Sequence, residues 1–239
     1  MRGTLVRQLL ASLFIASAAS AQAVKDWPIH SPTRPQPKVV DPGPSSLPVA
    51  PPRDAVILFD GTSLAKWKQK DDAAAKWVVR DGYFEVSAGA GDLMSRDSFG
   101  DVELHVEWMA PPPKGKGQER GNSGVYLMST YELQVLDSYQ NETYPDGQAG
   151  SIYGQFPPLV NASRPPGEWQ SYDVVFRRPR FDSSGGLQRP ATMTVRHNGV
   201  LVQDNVTLTG PTGHYQRPPY VAHPDKLPIL LQDHGNPVR

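Results

Sequence analysis

A carboxylate and a carboxamide lie two residues apart in residues 131–137, which read Tyr-Glu-Leu-Gln-Val-Leu-Asp. Successive side chains of a β-strand point to opposite faces of the sheet. A strand here therefore places Glu132 and Gln134 on one face, and Leu133 and Val135 on the other. This pattern predicts a sheet with an apolar core face and a polar face that could bind a ligand. The alternative is a strand whose polar face is simply solvated.

Two other segments carry the same kind of side chains. Residues 231–235 read Leu-Gln-Asp-His-Gly, so a strand there presents Gln232 and His234 on one face. Upstream of the first strand, residues 121–126 include Asn122 and Tyr126. Carboxylate, imidazole and amide groups together are suited to holding and protonating a sugar.

Composition excludes several classes of function. The chain has 239 residues, 24 basic and 24 acidic side chains and no cysteine. Zero net charge gives no reason to expect nucleic acid or an anionic membrane as a partner. Without cysteine there are no disulfides, no thiolate metal sites, no thiol nucleophile and no acylated lipoprotein anchor.

The first 23 residues have the pattern of a secretory signal peptide. Arg2 and Arg7 form a basic start, residues 9–19 form a short apolar run, and Ala21 and Ala23 flank a small-x-small cleavage site. The apolar run is too short to span a membrane. We therefore expect a secreted or periplasmic protein that is cleaved after Ala23.

Two further regions follow the leader. Residues 24–53 are rich in proline and lack apolar periodicity, which predicts an extended, semi-rigid linker. A globular domain is predicted over residues 54–239. Its strand and turn patterns are regular: Asp81-Gly82 and Asn198-Gly199 indicate hairpins, and residues 101–108 alternate apolar and polar side chains without a break. These patterns predict an all-β sandwich of two antiparallel sheets.

Eight short motifs in this domain occur in the order typical of one known family. The chain resembles the 3-keto-disaccharide hydrolase domain family, whose fold is similar to the β-jelly roll of concanavalin A-like lectins and glucanases. The resemblance covers roughly residues 56–239. The motifs are residues 59–67, 102–108, 122–126, 131–138, 150–154, 167–169, 198–199 and 231–235.

The resemblance implies a hydrolase that cleaves glycosides of 3-keto sugars by removing the C2 proton, eliminating the aglycone and adding water. This route needs an acid, a base and a donor for the enolate oxygen, but no covalent nucleophile. It implies Glu132 as general base or acid and His234 as its counterpart. The expected substrate-binding residues are Asn122, Tyr126, Gln134, Tyr153 and Gln232. A partner oxidoreductase would supply the 3-keto sugar.

The sequence departs from the family at its C-terminus. Members usually continue after the Leu-Gln-Asp-His-Gly segment into one more strand, whereas this sequence stops at Val238-Arg239. We therefore expect a sandwich that lacks a C-terminal strand and leaves a strand edge unpaired.

Two other functions remain open. Residues 132–137 are similar to the Glu-x-Asp-x-x-Glu strand of laminarinase-type glycosidases, although Glu132 and Asp137 point to opposite faces of a regular strand, and Gln134 replaces the middle acid. A non-catalytic glycan-binding module is the third reading, because fold does not fix function. No cofactor is firmly implied, and a divalent cation at Asp137 or Asp233 is left open.

The remaining histidines and loops give weaker signals. His214, His223 and His234 are too scattered in the sequence to indicate a metal triad. Residues 211–228 form a long proline-rich segment, and long loops in compact domains are often functional.

Overall fold

The computed structural model describes residues 27–239, so the predicted signal peptide lies outside the described residues. Three short 3-10 turns occur in the described part of the chain, at Lys70–Asp72, Gly117–Glu119 and Pro145–Gly147. No helix among these residues has the length and apolar character needed to cross a membrane. The strands are β1 (Lys38–Val39), β2 (Trp67–Lys68), β3 (Val78–Arg80), β4 (Tyr83–Glu85), β5 (Leu93–Phe99), β6 (Val102–Met109), β7 (Ser123–Leu127), β8 (Tyr131–Val135), β9 (Val160–Asn161), β10 (Trp169–Arg177), β11 (Arg180–Phe181), β12 (Leu187–Arg189), β13 (Thr192–His197), β14 (Val200–Thr207) and β15 (Leu227–Leu231).

Two antiparallel sheets form the body of the molecule. One has the strand order β2-β5-β15-β7-β8 and the other has the order β14-β13-β10-β6. The remaining strands of the described part of the chain form three two-stranded ribbons, β1-β9, β3-β4 and β11-β12. This architecture confirms the predicted all-β, two-sheet antiparallel sandwich.

The core lies between the two sheets, and aromatic side chains join them. The rings of Tyr131 on β8 and Phe176 on β10 lie 5.6 Å apart between centroids. The buried hydroxyl of Tyr172 on β10 donates a hydrogen bond of 2.7 Å to the carbonyl oxygen of Gln134 on β8. The strand that carries the candidate chemistry is therefore fixed to the opposite sheet through its backbone.

The two predicted hairpins are confirmed. Strands β3 and β4 pair around Asp81-Gly82, and β13 and β14 pair around Asn198-Gly199, with φ of 51° at Asn198 and 81° at Gly199. Residues with positive φ suit tight hairpin turns, which is why these dipeptides were informative. The alternation predicted for residues 101–108 also holds, because Glu103 and His105 on β6 are exposed and the residues beside them are half-buried.

The last residue of the chain pairs with the edge of the second sheet. Arg239 and Met109, at the end of β6, exchange two backbone hydrogen bonds of 2.8 and 3.1 Å. Strand β6 pairs with β10 along its other side. The backbone of Val238 also accepts a hydrogen bond from Val86.

Part of the segment predicted to be a linker lies against the domain. Lys38–Val39 pairs in parallel with Val160–Asn161, and the guanidinium group of Arg34 is buried and donates to the carbonyl oxygen of Gln155. Proline content predicts an extended chain, but it carries no information about what that chain contacts. Residues 27–36 contact the segments that carry Tyr153 and His214.

Candidate functional site

Three neighbouring strands of the five-stranded sheet build one polar surface. In the pairing of β7 with β8, Tyr126 lies opposite Glu132, and Gly124 lies opposite Gln134. On the other side of β7, the backbone N–H of Gln232 donates 3.0 Å to the carbonyl oxygen of Gly124. Because side chains opposite each other in a sheet share a face, all of these side chains face the same way.

A pocket of about 150 Å³ opens on this surface. The structure brings together in it all seven residues that the sequence predicts as catalytic or substrate-binding. Two residues that the sequence did not single out for the site, Thr212 and His214, complete the lining. The lining residues are Asn122, Tyr126, Glu132, Gln134, Tyr153, Thr212, His214, Gln232 and His234.

Glu132 is the carboxylic acid of the pocket, and its side chain is deeply buried. The residue is only 3% exposed. Burial penalises the charged carboxylate and raises the pKa of Glu132 to about 8, although a hydrogen bond with the Tyr126 hydroxyl opposes this shift. The pKa of Tyr126 is itself raised, first by burial and then by the nearby charge of Glu132. Tyr126 therefore stays protonated and can act as a hydrogen-bond donor.

The amide side chains form a connected group beside Glu132. Gln134 donates 3.0 Å to the side-chain oxygen of Asn122, and Asn122 donates 2.9 Å to the carbonyl oxygen of Gln118. Gln232 donates 3.3 Å to the hydroxyl oxygen of Tyr126. These bonds fix the orientation of the amides while the same residues line the pocket. They can therefore present defined donors and acceptors to a polar ligand.

Two imidazoles line the pocket. His234, at the end of the segment after β15, is exposed and lies at the pocket wall. His214 comes from the long loop after β14, and its Nδ1 lies 3.2 Å from the hydroxyl of Tyr153. His214 is exposed overall, but the partial desolvation of its ring, followed by the charges of His30 and His234, lowers its pKa. The neutral form of His214 is therefore favoured.

Thr212 and His214 lie in a loop, where no strand period places side chains on a face. Thr212 accepts a hydrogen bond of 2.9 Å from the backbone N–H of Glu132, and its own N–H donates to the carbonyl oxygen of Thr130. These bonds fasten the loop along the outer edge of β8. The available signal was the length of the loop, which indicated function without indicating which of its residues reach the pocket.

The two aspartates considered for a cation have other partners. Asp137 is buried and forms an ion pair with Arg120. Asp233 accepts backbone hydrogen bonds of 2.9 Å from Gly91 and from Gly235. Neither lines the pocket, and residues 27–239 contain no group of three or more histidine, aspartate or glutamate side chains placed to hold a metal ion. Their surroundings thus give the cation hypothesis no support.

The fold and the pocket together define an all-β sandwich protein with a small polar site around one buried carboxyl group. A sequence profile of the 3-keto-alpha-glucoside-1,2-lyase-like domain matches residues 54–239, and the chain belongs to this family. The resemblance noted from the sequence motifs is thereby confirmed. A comparison with curated protein sequences gave no match.

Solved structures with the same fold come from Parabacteroides distasonis ATCC 8503. One, at 2.13 Å resolution and named "putative glycosyl hydrolase", is 43% identical, has a TM-score of 0.74, and aligns over 78% of this chain and 80% of its own. A second, with the same name and a resolution of 1.70 Å, is 20% identical with a TM-score of 0.55 over 77% of this chain and 88% of its own. At that identity, the second structure supports the fold alone.

Proposed function

We propose that this protein cleaves glycosides of 3-keto sugars by elimination and hydration. The observation that carries the proposal is the Glu132 carboxyl group, buried in a pocket with two imidazoles and with a pKa of about 8. Perturbed carboxyl groups in clefts are typical of general acid–base sites. Membership of the 3-keto-alpha-glucoside-1,2-lyase-like family supports a 3-keto substrate, and the name of the 43% identical relative supports the broader class of glycoside cleavage.

The reaction follows from the acidity that a ketone gives to its neighbouring carbon. A carbonyl at C3 stabilises negative charge at C2, so a base can remove the C2 proton and form an enolate. When the enolate collapses, a C1–C2 double bond forms, the bond from C1 to the glycosidic oxygen breaks, and that oxygen takes a proton. Water then adds across the double bond and gives the free 3-keto sugar.

The proposal assigns the base role to Glu132 and the acid role at the leaving oxygen to His234. A base is most effective when its pKa lies near the working pH, and about 8 is close to neutral conditions. The amides of Asn122, Gln134 and Gln232 would hold the sugar hydroxyls. Tyr126 and Tyr153 would contact the ring.

Two observations weigh against the alternatives. A purely glycan-binding module favours an open groove, whereas Glu132 is 3% exposed at the base of a pocket. A retaining glycosidase needs a second carboxylate about 5–5.5 Å from the first. Of the residues that line the pocket, Glu132 is the one carboxylate, and Asp137 is paired with Arg120 instead.

The test is release of a chromogenic aglycone from a 3-keto-glucoside and from its unoxidised parent, with and without chelator. We expect release from the keto substrate alone, lost in Glu132→Gln and retained in Glu103→Gln, a matched change at a carboxylate whose side chain is 77% exposed on β6. Cleavage of the unoxidised glucoside would favour the glycosidase. Absence of release from either substrate by folded protein would favour the binding module.

The proposal places this enzyme outside the cytoplasm, after an oxidoreductase that oxidises the C3 hydroxyl of a glycoside. The predicted signal peptide supports export. N-terminal sequencing of the protein recovered from its host tests that part, with Val24 expected as the first residue.

A further inference from the structure

Residues 27–36, here called the N-terminal strap, lie against the wall of the candidate site although they precede the matched family domain. The guanidinium group of Arg217 donates to the carbonyl oxygens of Trp27 and Gly154, at 3.2 and 2.9 Å. Further along the strap, Arg34 donates 3.2 Å to the carbonyl oxygen of Gln155. Both contacts hold the strap to the turn that carries Tyr153, a residue of the pocket lining.

His30 is a strap residue whose ring packs against the pocket residue Tyr153, and it also bonds to Asp146 and to His214. Its backbone N–H donates 3.1 Å to a carboxyl oxygen of Asp146, and its Nδ1 lies 3.4 Å from the other oxygen. On the opposite side of the ring, Nε2 lies 2.6 Å from the carbonyl oxygen of His214. Because a carbonyl only accepts hydrogen bonds, Nε2 must carry a proton.

The backbone conformation of His30 indicates that these contacts serve a function rather than packing alone. Its φ is 57°, in the left-handed region that costs a non-glycine residue about 1 kcal/mol or more. Such conformations persist where the surroundings hold them, and they occur often at functional sites. The His30 ring also packs against those of Tyr144 and Tyr153, with centroids 4.0 and 5.0 Å apart.

Two tyrosine hydroxyls connect to the ring of His214 through its Nδ1. The hydroxyls of Tyr144 and Tyr153 lie 2.8 Å apart, and the Tyr153 hydroxyl lies 3.2 Å from Nδ1 of His214. When Tyr144 donates to Tyr153 and Tyr153 donates to Nδ1, a neutral His214 carries its proton on Nε2. Partial desolvation, followed by the charges of His30 and His234, lowers the pKa of His214 and favours this neutral form.

We propose that His214 is a further catalytic residue, whose Nε2–H donates a hydrogen bond to the C3 oxygen of the 3-keto sugar. We further assign His30, held by Asp146, as the positioning residue that fixes His214. The inference rests on the proposed function. When Glu132 takes the C2 proton, the C–H electron pair becomes the C2–C3 double bond and the carbonyl pair moves to the C3 oxygen. A neutral imidazole aimed at that oxygen stabilises the enolate.

The experiment isolates enolate formation from loss of the aglycone. The probe is 1-deoxy-3-keto-glucose, which keeps the C3 ketone but has no leaving group at C1. In D₂O, the enzyme should exchange the C2 hydrogen for deuterium, which proton NMR follows directly. We expect His214→Ala to slow this exchange by about 10²–10³-fold, the usual cost of removing one enolate or oxyanion donor. His234→Ala should retain exchange but lose cleavage of 3-keto-glucosides, because its proposed role is at the leaving oxygen.

The strap is tested by His30→Ala beside Gln36→Ala. Both changes remove strap contacts, since Gln36 donates 2.8 Å to the carbonyl oxygen of Thr143, but Gln36 does not contact His214. We expect His30→Ala to slow exchange about tenfold to a hundredfold, as misplacement of a catalytic group does. Gln36→Ala should leave the rate within about twofold. His30→Gln keeps an N–H for the His214 carbonyl and should restore part of the exchange.

A second measurement distinguishes positioning from a general loss of structure. The infrared stretch of the C3 carbonyl, labelled with ¹³C, should shift to lower frequency when the probe binds to the wild type, and this shift should shrink in His214→Ala and His30→Ala. Exchange at the wild-type rate in either variant, or an unchanged carbonyl shift, would overturn the inference while leaving the proposed function intact. If the wild type neither exchanges the probe nor cleaves 3-keto-glucosides, the proposed function itself fails.

Discussion

Gly124 lies directly beneath the carboxyl group of Glu132, and a Cβ atom at position 124 would be 2.5 Å from Oε1 of that carboxyl. The same Cβ would be 2.9 Å from a ring carbon of Tyr126. No side chain can occupy that space without displacing one of the two groups. The missing side chain at Gly124 is therefore what lets the carboxyl and the phenol meet over the sheet.

Gly124→Ala should reduce activity far more than it reduces stability. The added methyl displaces the Glu132 carboxyl from its place beside Tyr126, and a small misplacement of a catalytic group costs about 10²-fold in rate. The measurement is kcat/KM on a 3-keto-glucoside, together with the urea midpoint of unfolding. Gly82→Ala is the matched control, because Gly82 has a φ of 81° with open space around it, in the β3-β4 hairpin. The control should lose about 1 kcal/mol of stability and keep its activity. Wild-type activity in Gly124→Ala would contradict the role given to this close approach.

Glu132→Gln should stabilise the fold increasingly as pH rises. The pKa of Glu132 is about 8 in the folded protein, against an ordinary value of 4.5. Between these values the unfolded chain has released a proton that the folded chain still holds. The free energy of unfolding of the wild type therefore falls with pH by about 1.4 kcal/mol per unit. This loss is absent below pH 4.5 and complete above pH 8.

Urea unfolding at pH 4.5, 6 and 8 measures this difference. Glu132→Gln and wild type should be nearly equal in stability at pH 4.5, and the variant should be more stable by a few kcal/mol at pH 8, on the order set by the pKa shift. Glu103→Gln, at an exposed carboxylate, should show no such trend. A constant difference across this range would mean that the Glu132 carboxyl titrates alike in the folded and unfolded chains.

The rate of cleavage should depend on ionisation of Glu132. A general base acts in its ionised form, so kcat/KM for a 3-keto-glucoside should rise about tenfold per pH unit below pH 8 and level off above it. The free-enzyme pKa read from this profile should match the one from the stability measurements. A profile that stays flat from pH 6 to 9 would argue against Glu132 as the base.

Asp137→Asn should destabilise the protein without removing activity from the molecules that remain folded. Asp137 has a side chain that is 1% exposed and paired with Arg120, which is 14% exposed. Breaking a buried ion pair leaves the partner charge uncompensated and typically costs about 3 kcal/mol or more. Thermal unfolding and kcat per folded molecule measure the two effects. Loss of kcat with unchanged stability would instead support a glycosidase in which Asp137 is a second catalytic acid.

The two-residue repeat of a β-strand was enough to predict, from the sequence, which side chains of β8 share the face of the site. The alternation of residues 131–135 placed Glu132 and Gln134 on one face, and pairing in the sheet brings Tyr126 opposite Glu132. The hairpins at Asp81-Gly82 and Asn198-Gly199 were equally accessible, because their turns depend on residues adjacent in the chain. These features share one physical basis, which is that local backbone geometry fixes them.

Burial of the polar face, by contrast, depends on segments distant in the sequence. All five residues of β8 are buried, so the solvated strand that the alternation also allowed is not what forms. The loop that carries Thr212 covers the edge of β8, and the strap reaches His214 from His30 across 184 positions of sequence. The proline-rich segments showed no periodicity that could have indicated these contacts.

The sequence by itself determined the sheet face on which Glu132 lies and the family to which the chain belongs. Only the tertiary structure decided that this carboxyl is removed from water, that His214 lines its pocket, and that the strap contacts His214. The reason is that a side chain's direction follows from its own strand. Its pKa and its partners depend on packing between segments that lie far apart along the chain.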